Sequence, residues 1–479
     1  MEEARHFIGG EWCAASGGDT IAVLDPSDGQ PFTRLARGTA ADIDSAVHAA
    51  RRAFEGAWGA ASAAERGRVL YRLSLLTAAR QEELARLEAR DTGKPLRQAR
   101  TDAAALVRYF EFYAGAADKL HGETLPYQAG YTVLTIREPH GVTGHIVPWN
   151  YPMQIFGRSV GAALATGNAC VVKPAEDACL SVLRVAELAA EAGLPSGALN
   201  IVTGYGHEAG AALARHPGID HVSFTGSPET GKLVTQMAAE NHVPVTLELG
   251  GKSPQIVFAD ADLDAALPVL VSAIVQNAGQ TCSAGSRVLI DEAIYEPLLE
   301  RLGSAFQALR VGPSQADLDC GPLISAKQQQ RVWDFLSDAQ HDGIAMAAHG
   351  EVIPEAPESG FYQAPTLLRD VPASHRLARD EVFGPVLAAM SFRDEDEALA
   401  LANGTQYGLV AGIWTRDGAR QMRLARRVRS GQVFINNYGA GGGVELPFGG
   451  VKHSGHGREK GFEALYGFTV LKTIAIRHG

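Results

Sequence analysis

The chain has 479 residues and a formal net charge of −11, and 46% of its residues are apolar while 20% are charged. This length allows two or three domains, each with its own hydrophobic core. The apolar runs fall short of the roughly 20 residues that a membrane-spanning helix needs, and phosphate binding usually needs a basic face. The composition therefore argues against a membrane protein and a nucleic-acid partner, and it favours a small-molecule substrate.

Helices and then an open parallel sheet are predicted for the first part of the chain. Thr39 with Asp42, and Ser62 with Glu65, have capping-box spacing before two helical segments, DIDSAVHAARRAF and RGRVLYRLSLLTAARQEELARL. From residue 142 onward, β-branched runs alternate with helical ones: VTGHIVPW, ACVVKP, a helix near 180–193, NIVTG, a helix near 207–215, HVSFTG and VTLELGG. This alternation is typical of parallel strands joined by crossover helices.

A second alternating region follows the first. It contains an apolar helix at 263–276, the strand RVLID, a helix near 294–310, a polar stretch rich in loops to about 360, and the strand QVFINN. Residues 122–141 alternate with period two, and LKTIAIRHG at the C-terminus is another short strand. Two strands detached from either core can build an oligomer interface by strand addition. The pattern predicts an α/β protein with two domains and a small β arm.

The cysteines and the first residues bear on metal binding and location. Cys13, Cys170, Cys179, Cys282 and Cys320 are odd in number and lack the paired spacing of a zinc site. We therefore expect reduced thiols and no metal. The opening MEEARHFIGGEW lacks the basic segment followed by an apolar segment that marks a secretory signal, which predicts a cytoplasmic protein.

Cys282 is the first candidate for chemistry. It stands between small and polar residues in NAGQTCSAGSR, after the apolar run LPVLVSAIV. A free cysteine is often simply a small buried residue, so this stretch alone fits a core position as well as a nucleophile. The choice between these two interpretations depends on the other motifs.

Two strand ends carry residues suited to a nucleotide. FTGSPETG joins a strand to a helix through Gly226 and Gly231, with Ser227 between them, and a helix N-terminus there offers free N–H groups to a phosphate. VVKPAE ends another strand with Lys173 and Glu176, which can bond ribose hydroxyls at the carboxyl edge of the sheet. Steric needs of a turn, or an ordinary solvated loop, explain these residues equally well in isolation.

Three further turns present polar groups. LELGGKSP puts Glu248 at an apolar strand end, where poor solvation raises a carboxyl pKa into the range of a general base; a structural glutamate is the alternative. The turn PWNYP, rigid between two prolines, presents the amide of Asn150, a neutral donor suited to an oxyanion. EVFGPVL repeats this device with Glu381 and Phe383.

The motifs PWN, VVKPAE, FTGSPETG, LELGGKSP, NAGQTCSAGSR, EVFGPVL and PFGGVKHSGHGRE occur together and in order. In this the chain resembles the NAD(P)-dependent aldehyde dehydrogenase superfamily over essentially its whole length. The resemblance implies a Rossmann-like cofactor domain made of residues 1–120 and 142–248, a catalytic α/β domain at 249–465, and oligomerisation strands at 121–141 and 466–479. It also favours the nucleophile over the core residue as the interpretation of the cysteine.

Roles for the reacting groups are implied by the same resemblance. Cys282 resembles the nucleophile that adds to an aldehyde, giving a thiohemiacetal and, after hydride transfer, a thioester. The Asn150 side chain and the Cys282 backbone N–H resemble the oxyanion donors. Glu248 looks like the general base that activates the thiol or the hydrolytic water.

The resemblance also implies a cofactor site and a substrate residue. Cofactor contacts are expected from Trp149, Lys173, Glu176, Gly226, Ser227, Gly231, Glu381 and Phe383. Because Glu176 would accept from a ribose 2′-hydroxyl but repel a 2′-phosphate, NAD is expected in preference to NADP. Arg158 is either a surface or interface arginine or an anchor for the far end of the aldehyde, since guanidinium suits a carboxylate.

Two departures from the family pattern concern the substrate side. Arg158 is followed by Ser159 where relatives often have lysine, and Gln276 stands where some semialdehyde-type relatives carry a basic residue. One basic anchor predicts a semialdehyde or another polar aldehyde as substrate. The expected assembly is a homodimer or homotetramer.

Two alternative functions are weighed against this prediction. A CoA-acylating relative generally lacks the base at the position of Glu248, so the glutamate argues against it. A catalytically silent structural or binding protein on the same fold would not need Cys282, Glu248 and Asn150 together. The sequence therefore predicts NAD-dependent oxidation of an aldehyde to a carboxylic acid.

Overall fold

The structure, a computed structural model, describes residues 3–439 and 443–479. Two large β-sheets with helices packed around them make up most of this part, and each sheet has its own hydrophobic core. The α/β class predicted from the alternating pattern is confirmed. Among the helices of the described ranges, none combines the length and the apolar character that crossing a membrane requires.

The first sheet contains the strands predicted between residues 142 and 248, and these run parallel to one another. Its spatial order is Gly455–His456, Val245–Glu248, His221–Thr225, Val142–Val147, Ala169–Pro174, Leu199–Ile201, His6–Ile8 and Glu11–Cys13. Because the carboxyl ends of parallel strands lie at the same edge of a sheet, the residues after these strands meet there. The turns that carry the predicted cofactor residues are therefore neighbours in space.

Helices pack around this sheet and on one another: Ala40–Glu55, Ala63–Ala79, Gln81–Thr92, Leu96–Ala116, Pro152–Ala165, Leu180–Glu191 and Pro228–Ala239. Thr39 and Ser62 begin two of them with the predicted capping boxes. The single helical run predicted after Ser62 is instead two helices, because the backbone of Arg80 (φ −114°, ψ 16°) leaves the α-helical region. The helix predicted near 207–215 is a π-helical turn, Gly206–Gly210, continued by Ala211–Ala214.

The second sheet has the spatial order Met346–His349, Thr366–Leu368, Val386–Phe392, Arg287–Asp291, Pro254–Val257, Val410–Trp414 and Gln432–Ile435. Apart from the antiparallel edge strand Met346–His349, its strands are parallel. The helices beside it are Leu263–Val275, Tyr295–Gln307, Ala326–His341, Arg376–Arg379, Glu395–Asn403 and Gly418–Arg427, and Glu463–Gly467 follows near the C-terminus. Smaller strands are Glu3–Ala4, Thr20–Leu24, Pro31–Ala36, Arg310–Val311 and Glu351–Val352.

The prediction of a loop-rich stretch to about residue 360 is wrong at Ala326–His341, which is a helix. Ser325 caps its N-terminus by accepting a hydrogen bond from the Gln328 N–H. Only Val332, Phe335 and Ala339 are buried, so most of the helix surface is polar. The apolar stripe is too sparse to stand out in the sequence, although its spacing is helical.

The two arm strands pair as predicted. Thr469–Arg477 lies antiparallel to Tyr131–Pro139 along its whole length, and Thr124–Leu125 flanks the latter on the other side. One difference concerns Gly455–His456, which adds to the first sheet beside Val245–Glu248 although the sequence assigned it to the catalytic domain. The domain boundaries otherwise stay predictions.

Asn168 attaches both ends of the arm to the first core. Its Oδ1 accepts a hydrogen bond from Gly141 N (2.9 Å), just after one arm strand, and its Nδ2 donates to Phe468 O (2.9 Å), just before the other. Its own main-chain oxygen accepts from the Trp58 indole (2.9 Å). Since Asn168 and Trp58 are fully buried, these bonds are made without competition from water.

Asn168→Ala should loosen the arm and lower stability. The substitution leaves the Gly141 N–H and the Phe468 carbonyl without partners, which costs about 2 kcal/mol or more of folding free energy. Thermal unfolding measures the loss, and hydrogen exchange should become faster in residues 131–139 and 469–477. Asn241→Ala is the control, because exposed Asn241 also donates to a main-chain oxygen, that of Arg215. Equal effects of both substitutions would contradict a special role for Asn168.

Candidate active site

The predicted reacting residues lie where the chain crosses from the first sheet to the second. Glu248 ends a strand of the first sheet, and Pro254 begins a strand of the second. A Cβ atom on Gly251, in this crossing, would lie 2.3 Å from the carbonyl oxygen of Cys282. Glycine is therefore required at residue 251, and its absent side chain lets the crossing pack directly against the cysteine loop.

Cys282 is half-buried, beside an apolar cluster formed by Leu409, Val410 and Phe448. Burial raises the pKa of its thiol to about 12, although the positive charge of Arg158 opposes this. The thiol is therefore protonated at neutral pH. A group that removes its proton is needed before the sulfur can act as a nucleophile.

Glu248 is a suitable group for that proton. It is buried, and both of its carboxylate oxygens are without a hydrogen-bond partner among the described residues. Burial raises the pKa of this carboxyl well above its usual range, and the negative charge of Glu459 adds to the effect while Arg158 opposes it. A carboxyl without a hydrogen-bond partner and with a raised pKa holds a proton more readily than an ordinary glutamate, which suits a general base.

Asn150 is held against the cysteine loop. Its Nδ2 donates to the main-chain oxygen of Gln280 (3.0 Å), two residues before Cys282. Its own main-chain oxygen accepts from Lys94 Nζ (2.9 Å) and from Asn277 Nδ2 (3.0 Å). The turn that carries the amide is therefore fixed from two sides.

The predicted cofactor residues of the first sheet share its carboxyl edge. Lys173 Nζ bonds Glu176 Oε2 (2.9 Å) after one strand. After another strand, Ser227 caps the helix Pro228–Ala239 by accepting from Thr230 N (3.2 Å). Gly226 and Gly231 sit in tight surroundings: a Cβ atom would lie 2.5 Å from the Phe224 ring at residue 226, and 2.7 Å from Leu249 at residue 231. The start of the helix Pro228–Ala239 therefore lies at this edge of the sheet.

A loop of the second domain reaches the same edge. The Phe383 and Trp149 rings meet edge to face, with centroids 5.4 Å apart. Glu381 Oε1 accepts a hydrogen bond from Gly251 N (2.8 Å), and burial raises the pKa of this carboxyl to about 7. Residues that follow strands of both sheets therefore contact one another here.

Arg158 differs from both interpretations of the sequence. It lies in the predicted helix, Pro152–Ala165, but it is buried rather than on a surface. Its guanidinium forms an ion pair with buried Glu459, donates to Thr225 Oγ1 (3.3 Å) and lies over the Phe448 ring (5.0 Å). The prediction that it is free to anchor a substrate carboxylate is corrected, because Glu459 already occupies that position.

A cavity of about 210 Å³ opens beside the cysteine loop. Its described lining is uncharged and comprises Pro268, Val269, Ser272, Ala273, Gln276, Thr281, Ser283, Tyr438 and Gly439. Gln276 Nε2 donates to the Tyr151 hydroxyl (2.7 Å), which also bonds Thr281 Oγ1 (3.0 Å). The cavity wall next to Cys282 is thus lined by amide and hydroxyl groups.

Several residues of the site were not found from the sequence. Lys94 and Asn277 hold Asn150, Glu459 pairs with Arg158, and the Tyr438 hydroxyl donates to Ser283 O (2.5 Å). Glu459 lies within the motif PFGGVKHSGHGRE but had no role assigned to it. A charged residue at a helix end, such as Lys94, gives no signal in a single sequence that it is buried.

The thiol, the amide and the carboxyl belong to an α/β protein in which loops of two largely parallel sheets come together. The chain belongs to the aldehyde dehydrogenase family: the model of that family matches residues 12–474. The family resemblance read from the sequence motifs is confirmed.

Two curated relatives extend over nearly the whole chain. Hydroxyisobutyraldehyde dehydrogenase of Mycolicibacterium austroafricanum is 43% identical over 98% of this chain and 93% of its own length. The NADP/NAD-dependent aldehyde dehydrogenase PuuC of Escherichia coli (strain K12) is 44% identical over 99% of this chain and 96% of its own length.

Two solved structures are similar in fold and sequence. A putative aldehyde dehydrogenase from Burkholderia cenocepacia has a TM-score of 0.99 and 86% identity, covering 99% of this chain and all (100%) of that one. PnpE from Pseudomonas sp. WBC-3, solved in complex with nicotinamide adenine dinucleotide, has a TM-score of 0.97 and 40% identity, covering 99% and 98% of the two chains.

Glu248→Gln should stabilise the protein selectively at high pH. A glutamate in an unfolded chain has a pKa of about 4.3, whereas the pKa of Glu248 in the folded protein is raised well above the usual range. The stability of the wild type therefore declines as pH rises through the folded pKa, because the buried carboxyl must ionise. The variant has no such proton, so its Tm should exceed that of the wild type at about pH 9 and approach it at about pH 5.

The control for Glu248→Gln is Glu191→Gln, because Glu191 is exposed at the end of a helix. Its Tm difference from the wild type should stay small at both pH values. A Glu248→Gln effect that is the same at both pH values would contradict the raised pKa.

Proposed function

We propose that this chain catalyses the NAD-dependent oxidation of an aldehyde to a carboxylic acid, with Cys282 as the nucleophile. The observation that carries the proposal is a protonated, half-buried thiol whose pKa is raised in part by the negative charge of Glu248, a buried carboxyl that has no hydrogen-bond partner among the described residues. The side chain of Asn150, bonded to the loop of the thiol, supplies a donor for the carbonyl oxygen.

The first step is attack on the aldehyde. Glu248 accepts the thiol proton, and the sulfur of Cys282 forms a bond to the carbonyl carbon. The carbonyl oxygen gains negative charge and is stabilised by the Asn150 amide and the Cys282 backbone N–H; one such donor is worth about 3 kcal/mol of barrier. The product is a thiohemiacetal.

NAD, when bound, supplies the hydride acceptor that oxidises the thiohemiacetal to a thioester. The chain fits this cofactor. The positive end of the dipole of the helix Pro228–Ala239 suits a pyrophosphate at this edge, and Gly226 has no side chain that would keep a phosphate from the backbone. Glu176 can accept a hydrogen bond from a ribose hydroxyl. Since Glu176 would repel an added 2′-phosphate, NAD is preferred over NADP.

Release of the acid then uses the same carboxyl. Glu248 first passes the proton of the thiol to solvent and then takes a proton from a water molecule, whose oxygen attacks the thioester carbon. The carbon–sulfur bond breaks, the sulfur leaves as a thiolate that regains a proton, and the acid is released. Water rather than CoA is the acyl acceptor, because Glu248 is present, buried and free of other bonds. Burying a carboxyl that has no hydrogen-bond partner costs free energy. A catalytically silent structural protein would have no use for this cost.

An uncharged polar aldehyde is the substrate that the cleft favours. The described lining of the cavity beside Cys282 contains no charged side chain, and the guanidinium of Arg158 is held by Glu459. A substrate carboxylate would lose its hydration there without gaining a cation, which is costly. Gln276, Thr281 and Ser283 instead suit a hydroxyl or carbonyl group on the substrate.

A homo-oligomer is the proposed assembly. The strand Thr469–Arg477 forms the outer edge of the arm sheet and leaves Val470, Leu471 and Ile476 exposed. An unprotected apolar edge strand is rare in a monomer, and pairing with a second copy would cover it. A mass by light scattering that is a multiple of 50.7 kDa is the expected observation.

Cys282→Ala should abolish aldehyde oxidation and leave NAD affinity within about twofold, because it removes the nucleophile but none of the proposed cofactor contacts. The measurements are NADH formation with a panel of aldehydes and NAD binding by calorimetry. Cys13→Ala is the control, since Cys13 is also a half-buried free thiol but lies in the edge strand Glu11–Cys13. Turnover by the Cys282→Ala variant would place the chemistry elsewhere.

The wild type should use 4-hydroxybutyraldehyde at least about 10-fold more efficiently, in kcat/KM, than succinate semialdehyde, because the latter carries a carboxylate into an uncharged cavity. Gln276→Lys should narrow this ratio by adding a cation to the cavity wall, and Gln276→Leu should not. A wild-type preference for succinate semialdehyde would contradict the proposal for the substrate, while leaving the reaction itself in place.

A further inference from the structure

A buried ammonium group, that of Lys94, contacts the backbone of the Asn150 turn. Lys94 follows Gly93, whose left-handed backbone (φ 77°) ends the helix Gln81–Thr92, and precedes Pro95. Lys94, Glu88 and Asp102 are each at most 3% exposed. A charged cluster so fully removed from water is costly unless it is closely paired.

Every proton of this ammonium is used. Lys94 Nζ donates to Glu88 Oε1 (3.1 Å), to Asp102 Oδ2 (2.6 Å) and to the main-chain oxygen of Asn150 (2.9 Å), and it lies over the Tyr151 ring (4.2 Å). Burial acts to lower the pKa of Lys94, but the two carboxylates outweigh it and raise that pKa. The side chain therefore stays charged throughout the pH range of an assay.

The side chains of Glu88 and Asp102 also accept hydrogen bonds from residues that follow Asn150. Glu88 Oε2 accepts from Met153 N (3.1 Å), and Asp102 Oδ1 accepts from Gln154 Nε2 (2.6 Å). The cluster thus holds the turn and the first residues of the helix Pro152–Ala165. The side-chain amide of Asn150 thus extends from a residue whose main-chain oxygen is bonded to the charged ammonium of Lys94.

We propose that Lys94 is a positioning residue for the reaction: its ammonium, anchored by Glu88 and Asp102, fixes the Asn150 backbone so that Nδ2 points to the oxyanion. The inference rests on the oxyanion role of Asn150 in the proposed function. A donor preorganised in this way pays no reorganisation cost when negative charge develops, and misplacement by a fraction of an ångström weakens it. Charge-assisted bonds hold such a position more firmly than neutral ones.

The test is a double-mutant cycle between Lys94→Met and Asn150→Ala. Alone, Asn150→Ala should lower the rate of the NADH burst by about 100- to 1000-fold, and Lys94→Met should lower it by roughly 10- to 100-fold. In the Asn150→Ala background, Lys94→Met should cost less than about twofold, because the residue through which it acts is gone. KM for the aldehyde and the affinity for NAD should change by less than about threefold in Lys94→Met.

Two further variants protect the test against a general loss of structure. Lys94→Met strands two buried carboxylates, so the triple variant Lys94→Met, Glu88→Gln, Asp102→Asn removes all three charges together and should show the same loss of burst rate. Lys452→Met is the matched control: Lys452 Nζ also donates to three main-chain oxygens, those of Asn403, Thr405 and Tyr407. It should lower Tm without the change in burst rate.

Hydrogen exchange supplies a readout that does not depend on turnover. Amides of residues 150–154 should exchange faster in the triple variant and should be unaffected in Lys452→Met. Equal fold-losses from Lys94→Met in both Asn150 backgrounds, or no loss at all, would overturn the inference for Lys94. A burst rate that is unchanged by Asn150→Ala would instead overturn the oxyanion role of Asn150 in the proposed function.

Discussion

The site depends on how closely the backbone can approach itself where the chain passes between the two sheets. A Cβ atom on Gly250 would lie 2.4 Å from a carboxylate oxygen of Glu381, and one on Gly251 would lie 2.3 Å from the Cys282 carbonyl. Real Cβ atoms do not make such contacts. The hydrogen bond from Gly251 N to Glu381 depends on this close approach, which is possible because Gly250 and Gly251 carry no side chains. Three segments that are remote in sequence are thereby brought into one cleft.

Electrostatics decide what this cleft can do. Burial disfavours the charged forms of the thiol and of the Glu248 carboxyl, and it therefore raises the pKa of both groups. Arg158 opposes burial at both groups, but its charge is largely balanced by Glu459, whose other oxygen accepts from Ser223 Oγ (2.7 Å). Arg158 therefore lowers the pKa of the thiol and of the carboxyl, but by less than burial raises them.

The sequence predicted the elements with strong local patterns. Capping boxes located two helices, β-branched runs located the parallel strands, and ordered motifs identified the family and most residues at the sheet edge. The helix Ala326–His341 was not predicted because only three of its residues are buried. Local patterns report which residues a segment needs to bury, and that segment needed to bury few.

Local sequence patterns could not predict which residues the buried charged side chains pair with. Arg158 was identified as a cation near the substrate, but its neutralisation by Glu459 depends on a segment from the far end of the chain. Likewise, nothing near Lys94 in the sequence indicates that it is buried between Glu88 and Asp102. Such pairs form only after the helices have packed, since burial is what makes the pairing necessary.

The order of synthesis on the ribosome has a consequence for the first sheet. Its strand Val245–Glu248 is completed on its outer side only by Gly455–His456, and the arm strand Tyr131–Pro139 only by Thr469–Arg477. Until the end of the chain has emerged, both strands carry open edges of the kind that recruit strands from other nascent chains. Glu248 ends one of these two strands, so the strand that carries the proposed base is among the last parts of the fold to gain its outer neighbour.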